Sequence, residues 1–210
     1  MQKKYKHTIR MFEPPDLIQV REIERHAWES EAASREMIMS RHEVFPEGSI
    51  VAEDEKTGLV FGYVVVQRTD QFTNDSWSVQ TDHGKIVNTH RPNGRVVYGV
   101  NMSMLGTYAH TKTGRAFLDH IHEYFVVHGD AQSFSLGSRM PFFKKWAAKQ
   151  GNANTDQLAQ EYWKLTRTSG KYQDGEIQYY RERGFRPVSL IQDYFPDEGS
   201  HNYGVHMVHV

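Results

Sequence analysis

"YAHTKTGRAFLDHI", Tyr108–Ile121, turns a run of small polar residues and one glycine directly into a helical pattern. The first turn of a helix carries amide donors without intrahelical partners and lies at the positive end of the helix dipole. A loop of threonines and a lysine at that point therefore presents N–H groups and hydroxyls to an anion. An ordinary capped helix start has the same composition, so the surroundings decide what the stretch means. Before it, Val96–Leu105 is a β-rich run entered through an Asn93-Gly94 turn. After it, Phe117, Leu118, Ile121, Tyr124 and Phe125 recur at the three- and four-residue steps of a buried helix face that ends near Gly129. Strand, polar loop and helix form one unit.

Outward from this unit the same alternation continues. "KHTIRMF" reads as a strand, and Leu17, Val20, Ile23 and Trp28 mark a helix behind Pro15. A second helix, "AASREMIMSRHEVF", stops at Pro46 and Gly48, and two strand-like runs then turn at Glu55–Gly58 as a hairpin. Beyond the central helix come another strand, a helix "GEIQYYRERGF" closed by Gly184, strand-like "RPVSLIQDYF" and a final strand "GVHMVHV". The fold class is α/β (α+β), one domain over 1–210 with polar insertions near 69–92 and 142–173, the second holding the helical "DQLAQEYWKL". The charged run "ERHAWESEAASRE" from Glu24 to Glu36 reads as the solvated faces of two helices.

Composition removes several function classes. The 210 residues carry a net charge of −1 and no long Lys/Arg run, which disfavours nucleic acid as a partner. With no cysteine the chain has no disulfides, thiolate metal sites or cysteine nucleophile, and a cytoplasmic setting is the default expectation. No segment approaches the ~20 apolar residues that cross a bilayer, and no signal-peptide core follows the basic start. No metal site is expected: His120 and His122 lie two apart on a helix, and His206 and His209 point to opposite faces of a strand. Trp146, Tyr162 and Trp163 read as core cover or the lining of an acceptor cleft rather than a base-stacking surface.

The order of elements, the loop and "IQYYRERGFRPV" together resemble the GNAT acetyltransferase superfamily over most of the chain. In that family a Gln/Arg-x-x-Gly-x-Gly/Ala loop after the fourth strand wraps the coenzyme A pyrophosphate. Ala109, His110, Thr111, Lys112, Thr113 and Gly114 occupy those places, and Gly114 is the position that matches. Lys112 stands where the family has its first glycine, so its ammonium and the two threonine hydroxyls are the groups left to meet phosphate oxygens. The Tyr-x-x-x-Gly-Phe element matches at Tyr180, Gly184 and Phe185. The C-terminal half, from "GSRMPFFKKWA" to "DYFPDEGSHNYG", is also similar to the GNAT-like domains fused to nitrilase-type amidohydrolases, and no hydrolase domain fits in this chain.

The resemblance implies a mixed, mostly antiparallel twisted sheet flanked by helices. It also implies an acetyl-CoA-dependent N-acetyltransferase that moves acetyl to a primary amine of a small molecule or peptide by direct attack, with no protein nucleophile. Tyr180 is then the acid toward the departing thiolate. The backbone at Met104 and Leu105 faces the thioester, and residues from Ala109 to Arg115 hold the cofactor's phosphates. For the base, His83, His90, Glu53, Asp193 and His122 stay open. The rival expectation is a non-catalytic acyl-CoA-binding or interaction module with a degenerate loop, and a homodimer is compatible with either.

Overall fold

A computed structural model describes residues 6–108, 111–151 and 154–210. Seven strands form one open sheet: β1 (His7–Met11), β2 (Ser49–Asp54), β3 (Val60–Thr69), β4 (Val96–Met104), β5 (Ser133–Arg139), β6 (Arg186–Ile191) and β7 (Gly204–His209). Their order is β1-β2-β3-β4-β5-β7-β6, antiparallel throughout except for the β4–β5 pair. The helices are α1 (Leu17–Trp28), α2 (Arg35–Val44), α3 (Trp77–Gln80), α4 (Thr113–His122), α5 (Phe143–Ala147), α6 (Thr155–Tyr162) and α7 (Gly175–Arg181). A π-helical turn, Glu123–Val127, extends α4. Among the described residues no helix is long and apolar enough to cross a membrane.

Side-chain alternation along the strands assigns the helices to two faces. Tyr63 faces Phe12 and the α1–α2 side, whereas a Cβ at neighbouring Gly62 would press on Phe117 of α4. Ser103 pairs with Tyr63 and Met104 with Gly62, so the end of β4 shows one side chain to each layer. Val20 and Ile23 of α1, and Phe117 and Ile121 of α4, are fully buried and supply the two cores as read from the sequence, whereas Tyr124, expected on the same buried face, is 45% exposed. The second predicted insertion is packed rather than loose. Tyr162 and Trp163 are buried, and the Tyr162 hydroxyl donates to Asp174 Oδ2 (3.1 Å), whose other oxygen accepts from the amides of Glu176 and Ile177 as the N-cap of α7. The first holds one short helix, α3, where the sequence showed no period. Trp77 opens α3 with its backbone amide on the Tyr194 carbonyl (2.7 Å) and its indole on the Val100 carbonyl (2.8 Å).

β4 and β5 pair only over Val96–Tyr98 and Ser133–Ser135 and then part. A bulge opposite Val65 and Val66 bends β4 just beyond that point, leaving Val100 out of the β3 register. Tyr194 settles against the parting strands, its hydroxyl 3.1 Å from that of Tyr98 and its ring lying where side chains at Gly137 and Gly204 would stand. Glycine is required at Gly137 by this contact. Gly137→Ala is expected to force the buried Tyr194 ring aside at a cost of about 1–3 kcal/mol, the range for overpacking a filled core. Chemical denaturation tests this, and unchanged stability would show that Tyr194 is free to move.

Candidate active site

The parting of β4 from β5 leaves a strand edge without a partner. The Leu105 amide donates to the Phe61 carbonyl (2.9 Å) on the β3 side, so alternation turns the amides and carbonyls of Met104 and Met102 toward the gap. The gap is the floor of a cleft of about 760 Å³ that residues of helices on both faces of the sheet line. Met104 borders it. Leu105, the other residue expected beside a thioester, has its amide committed to β3 and lies outside the lining.

On the α1 face the cleft floor is a hydrogen-bonded polar cluster. Glu24 is 2% exposed, and its carboxylate accepts from Asn101 Nδ2 (2.7 Å), Ser103 Oγ (2.6 Å) and the Ala33 amide (3.2 Å). The Trp28 indole donates to Ser103 Oγ (2.7 Å). The expectation that Glu24 lies on a solvated helix face is therefore overturned. Asn101 and Ser103 stand two apart on β4 and point the same way, which brings both under this turn of α1.

On the opposite face α7 lays Glu176, Tyr179 and Tyr180 along the cleft. Glu176 accepts from the Arg139 amide (3.2 Å) with the Arg139 guanidinium 4.0 Å away, yet burial outweighs that cation and pushes its carboxyl up to about 7. Tyr180 lies one turn further on. Burial first, then the charge of Glu176, holds its phenol well above the ordinary tyrosine value, so the hydroxyl stays protonated. Tyr179 also reaches the cleft and is fixed differently: the Arg183 guanidinium stacks on its ring at 3.4 Å, and its hydroxyl sits 2.5 Å from where a Cβ on Gly114 would fall. Gly114 thus makes room for Tyr179 as well as opening the helix.

At the start of α4 the N-cap residue, Lys112, supplies no side-chain cap bond and is exposed. Thr111 and Thr113 hydroxyls bond to each other (2.8 Å), and Thr111 Oγ1 donates to the Tyr108 carbonyl (2.7 Å), so both are engaged within the loop. Arg115 points away, pairing with Asp119 (3.2 Å) along the helix. Ala109 and His110 lie outside the described residues.

No family model matches the sequence. An uncharacterized N-acetyltransferase of Bacillus subtilis, YkwB, is 26% identical over 181 residues, 83% of this chain and 73% of that protein. A probable hydrolase of the same organism, YhcX, is 25% identical over 92% of this chain, which spans only 36% of the length of that relative. Among solved structures, the loading GNATL domain of CurA from Lyngbya majuscula superposes with a TM-score of 0.81 at 18% identity, covering 97% of each chain. The GphF GNAT-like decarboxylase in complex with isobutyryl-CoA gives 0.77 at 20% identity, covering 97% of this chain and 98% of that one. The ribosomal-protein-S18-alanine N-acetyltransferase of Escherichia coli gives 0.55 at 16% identity, covering 97% and 93%. The chain has the GNAT fold.

Within this GNAT fold the five candidate bases scatter. His83 lines the cleft, bonded through Nδ1 to Ser78 Oγ (2.7 Å). His90 is buried against Phe45 and accepts from the Arg68 amide (3.2 Å), Glu53 pairs with Arg10 on β1, and Asp193 sits in a turn. His122 packs on His209, their rings 3.7 Å apart, beyond the cleft. Glu24, Arg139 and Glu176 were missed, because their partners come from elements distant in sequence. Among the described residues no group of three or more His, Asp or Glu is arranged to hold a metal ion.

The raised Glu176 value makes a stability prediction whose sign is fixed. Folding moves its pKa from 4.5 up to about 7, so the native state keeps a proton that the unfolded chain releases, and stability falls as pH climbs through that window. At ~1.4 kcal/mol for each pH unit crossed, Glu176→Gln should remove about 3 kcal/mol of the loss between about pH 4.5 and pH 7.5. Denaturation curves across that range check it, and identical pH slopes in the two proteins would refute it.

Proposed function

We propose that this GNAT chain is an N-acyltransferase that moves the acetyl group of acetyl-CoA to a primary amine by direct attack. The observation that carries the reading is the through-sheet cleft, where an unpaired strand edge meets a protonated tyrosine and a carboxyl poised near neutrality. The residues fit the cosubstrate. The turned-out amides of Met102 and Met104 offer hydrogen bonds to an extended amide-bearing arm, and the start of α4, from Thr111 to Gly114 with Lys112 exposed beside it, offers donors and charge to phosphates. Bound there, acetyl-CoA supplies an acyl group activated as a thioester.

The protein's part is proton handling and orientation. Glu176 takes the proton that the attacking nitrogen sheds, directly or through one water, and its poise near 7 suits a base at physiological pH. Tyr180 holds a proton on its phenol oxygen for the sulfur that departs as the new carbon–nitrogen bond forms. Phenylalanine at Tyr180 keeps the ring and removes that proton, so CoA affinity should persist while turnover falls about 10²-fold, with Tyr179→Phe much milder. Equal turnover in Tyr180→Phe and the parent would end the acid assignment. The pH–rate profile of the parent should rise with an inflection near 7, and Glu176→Gln should lose that inflection.

One observation favours a second reading. The GNATL domain and the GNAT-like decarboxylase superpose at 0.81 and 0.77, against 0.55 for the Escherichia coli N-acetyltransferase. Loss of carbon dioxide from a carboxyacyl-CoA, its carboxylate met by Arg139, is the chemistry that the GNAT-like decarboxylase suggests. Carbon dioxide release from malonyl-CoA without thiol release from acetyl-CoA and amines would replace the first reading with this one.

A further inference from the structure

Two buried charges border the α1 side of the cleft and neither has an ionic partner among the described residues. Glu24, 2% exposed, is held by three neutral donors. Arg41, also 2% exposed, gives Nε to the Gly84 carbonyl (2.6 Å) and Nη2 to the Met37 sulfur (3.2 Å), while its Nη1 is buried with no acceptor. Tyr63 lies between their fields, its hydroxyl buried beside Arg41 and Ser49. A phenol is neutral and cancels neither charge. Isolated buried charges are destabilising unless something of opposite sign completes them, and these two are separated by more than an ion-pair distance from each other. The unmet need is therefore for one anion and one cation at the same end of one cleft.

On the strength of the acyltransferase reading, we infer that the acceptor is a free amino acid or a comparable small zwitterion, its ammonium toward Glu24 and its carboxylate toward Arg41. Glu24 hangs over Ser103 and Asn101 on β4, which sets the amine end beside the unpaired strand edge. Arg41 is anchored to the Gly84 carbonyl beside Trp77, which sets the carboxylate end on the α2–α3 side of the cleft. A carboxylate on the acyl group instead would leave the Glu24 charge uncompensated. Phe195, edge-to-face with Trp28 at 6.1 Å and with Trp77 at 5.4 Å, lines the same end together with them and suits an apolar or aromatic side chain.

Calorimetry on the unliganded protein with aromatic and aliphatic L-amino acids, their methyl esters and their N-acetyl derivatives tests the inference without turnover. At least one free amino acid is expected to bind, with its ester, which lacks the anion, and its N-acetyl form, which lacks the cation, each at least tenfold weaker. Arg41→Met should reduce the amino acid to the affinity of its ester and leave the ester unchanged, while Glu24→Gln should affect both cationic ligands. Should either variant misfold by circular dichroism, the parent's ligand series alone decides. Esters binding as tightly as acids, or no amino acid binding at all, would overturn the inference. Thiol release from acetyl-CoA separates it from the reading beneath. Transfer to simple amines with no preference for amino acids keeps the transferase and overturns the zwitterion site, whereas amino-acid binding with no thiol release keeps the site and overturns the transferase.

Discussion

A parallel strand pair that stops after Tyr98 and Ser135 governs the rest of the molecule. Backbone groups in a sheet are normally satisfied by the next strand, and interrupting a sheet at its centre leaves donors and acceptors that must be met by something else. Here the interruption is maintained by packing. The bulge at Val100 bends β4 away, Tyr194 fills the angle over Gly137, and the Trp77 indole takes the carbonyl that the bulge exposes. Everything placed near the gap inherits its position from this arrangement, including α7, whose first turn is tied to the end of β5 through Glu176 and the Arg139 amide.

The two faces of the gap are chemically unlike. The α7 face holds groups whose protonation is set by burial, a carboxyl near 7 and a phenol kept neutral, so it is suited to moving protons. The α1 face holds a buried carboxylate in a hydrogen-bonded cluster and a buried guanidinium, so it is suited to recognising a charged molecule.

How much of this was legible in the sequence follows from the range of each interaction. The start of α4 at Thr113 and the Tyr180–Gly184–Phe185 element are local patterns, and the helix start and the turn after α7, with Gly184 at φ +89°, lie where their spacing put them. Glu24 was not legible. It sits in a run of alternating charges that resembles a wet surface, and the residues that bury it, Asn101 and Ser103, are 77 and 79 positions away. Glu176 lies inside a helix that was recognised, four residues from Tyr180, yet its raised pKa depends on burial beside Arg139 of β5, which no helical period encodes. The role of Gly114 was half legible: a close approach was expected there, and the neighbour that makes it is Tyr179, 65 positions on.

A gap through a sheet, unlike a pit in its surface, has two mouths. With α1 and α2 framing one and α4 and α7 the other, two molecules can reach the same strand edge along separate routes, and each can withdraw the way it came.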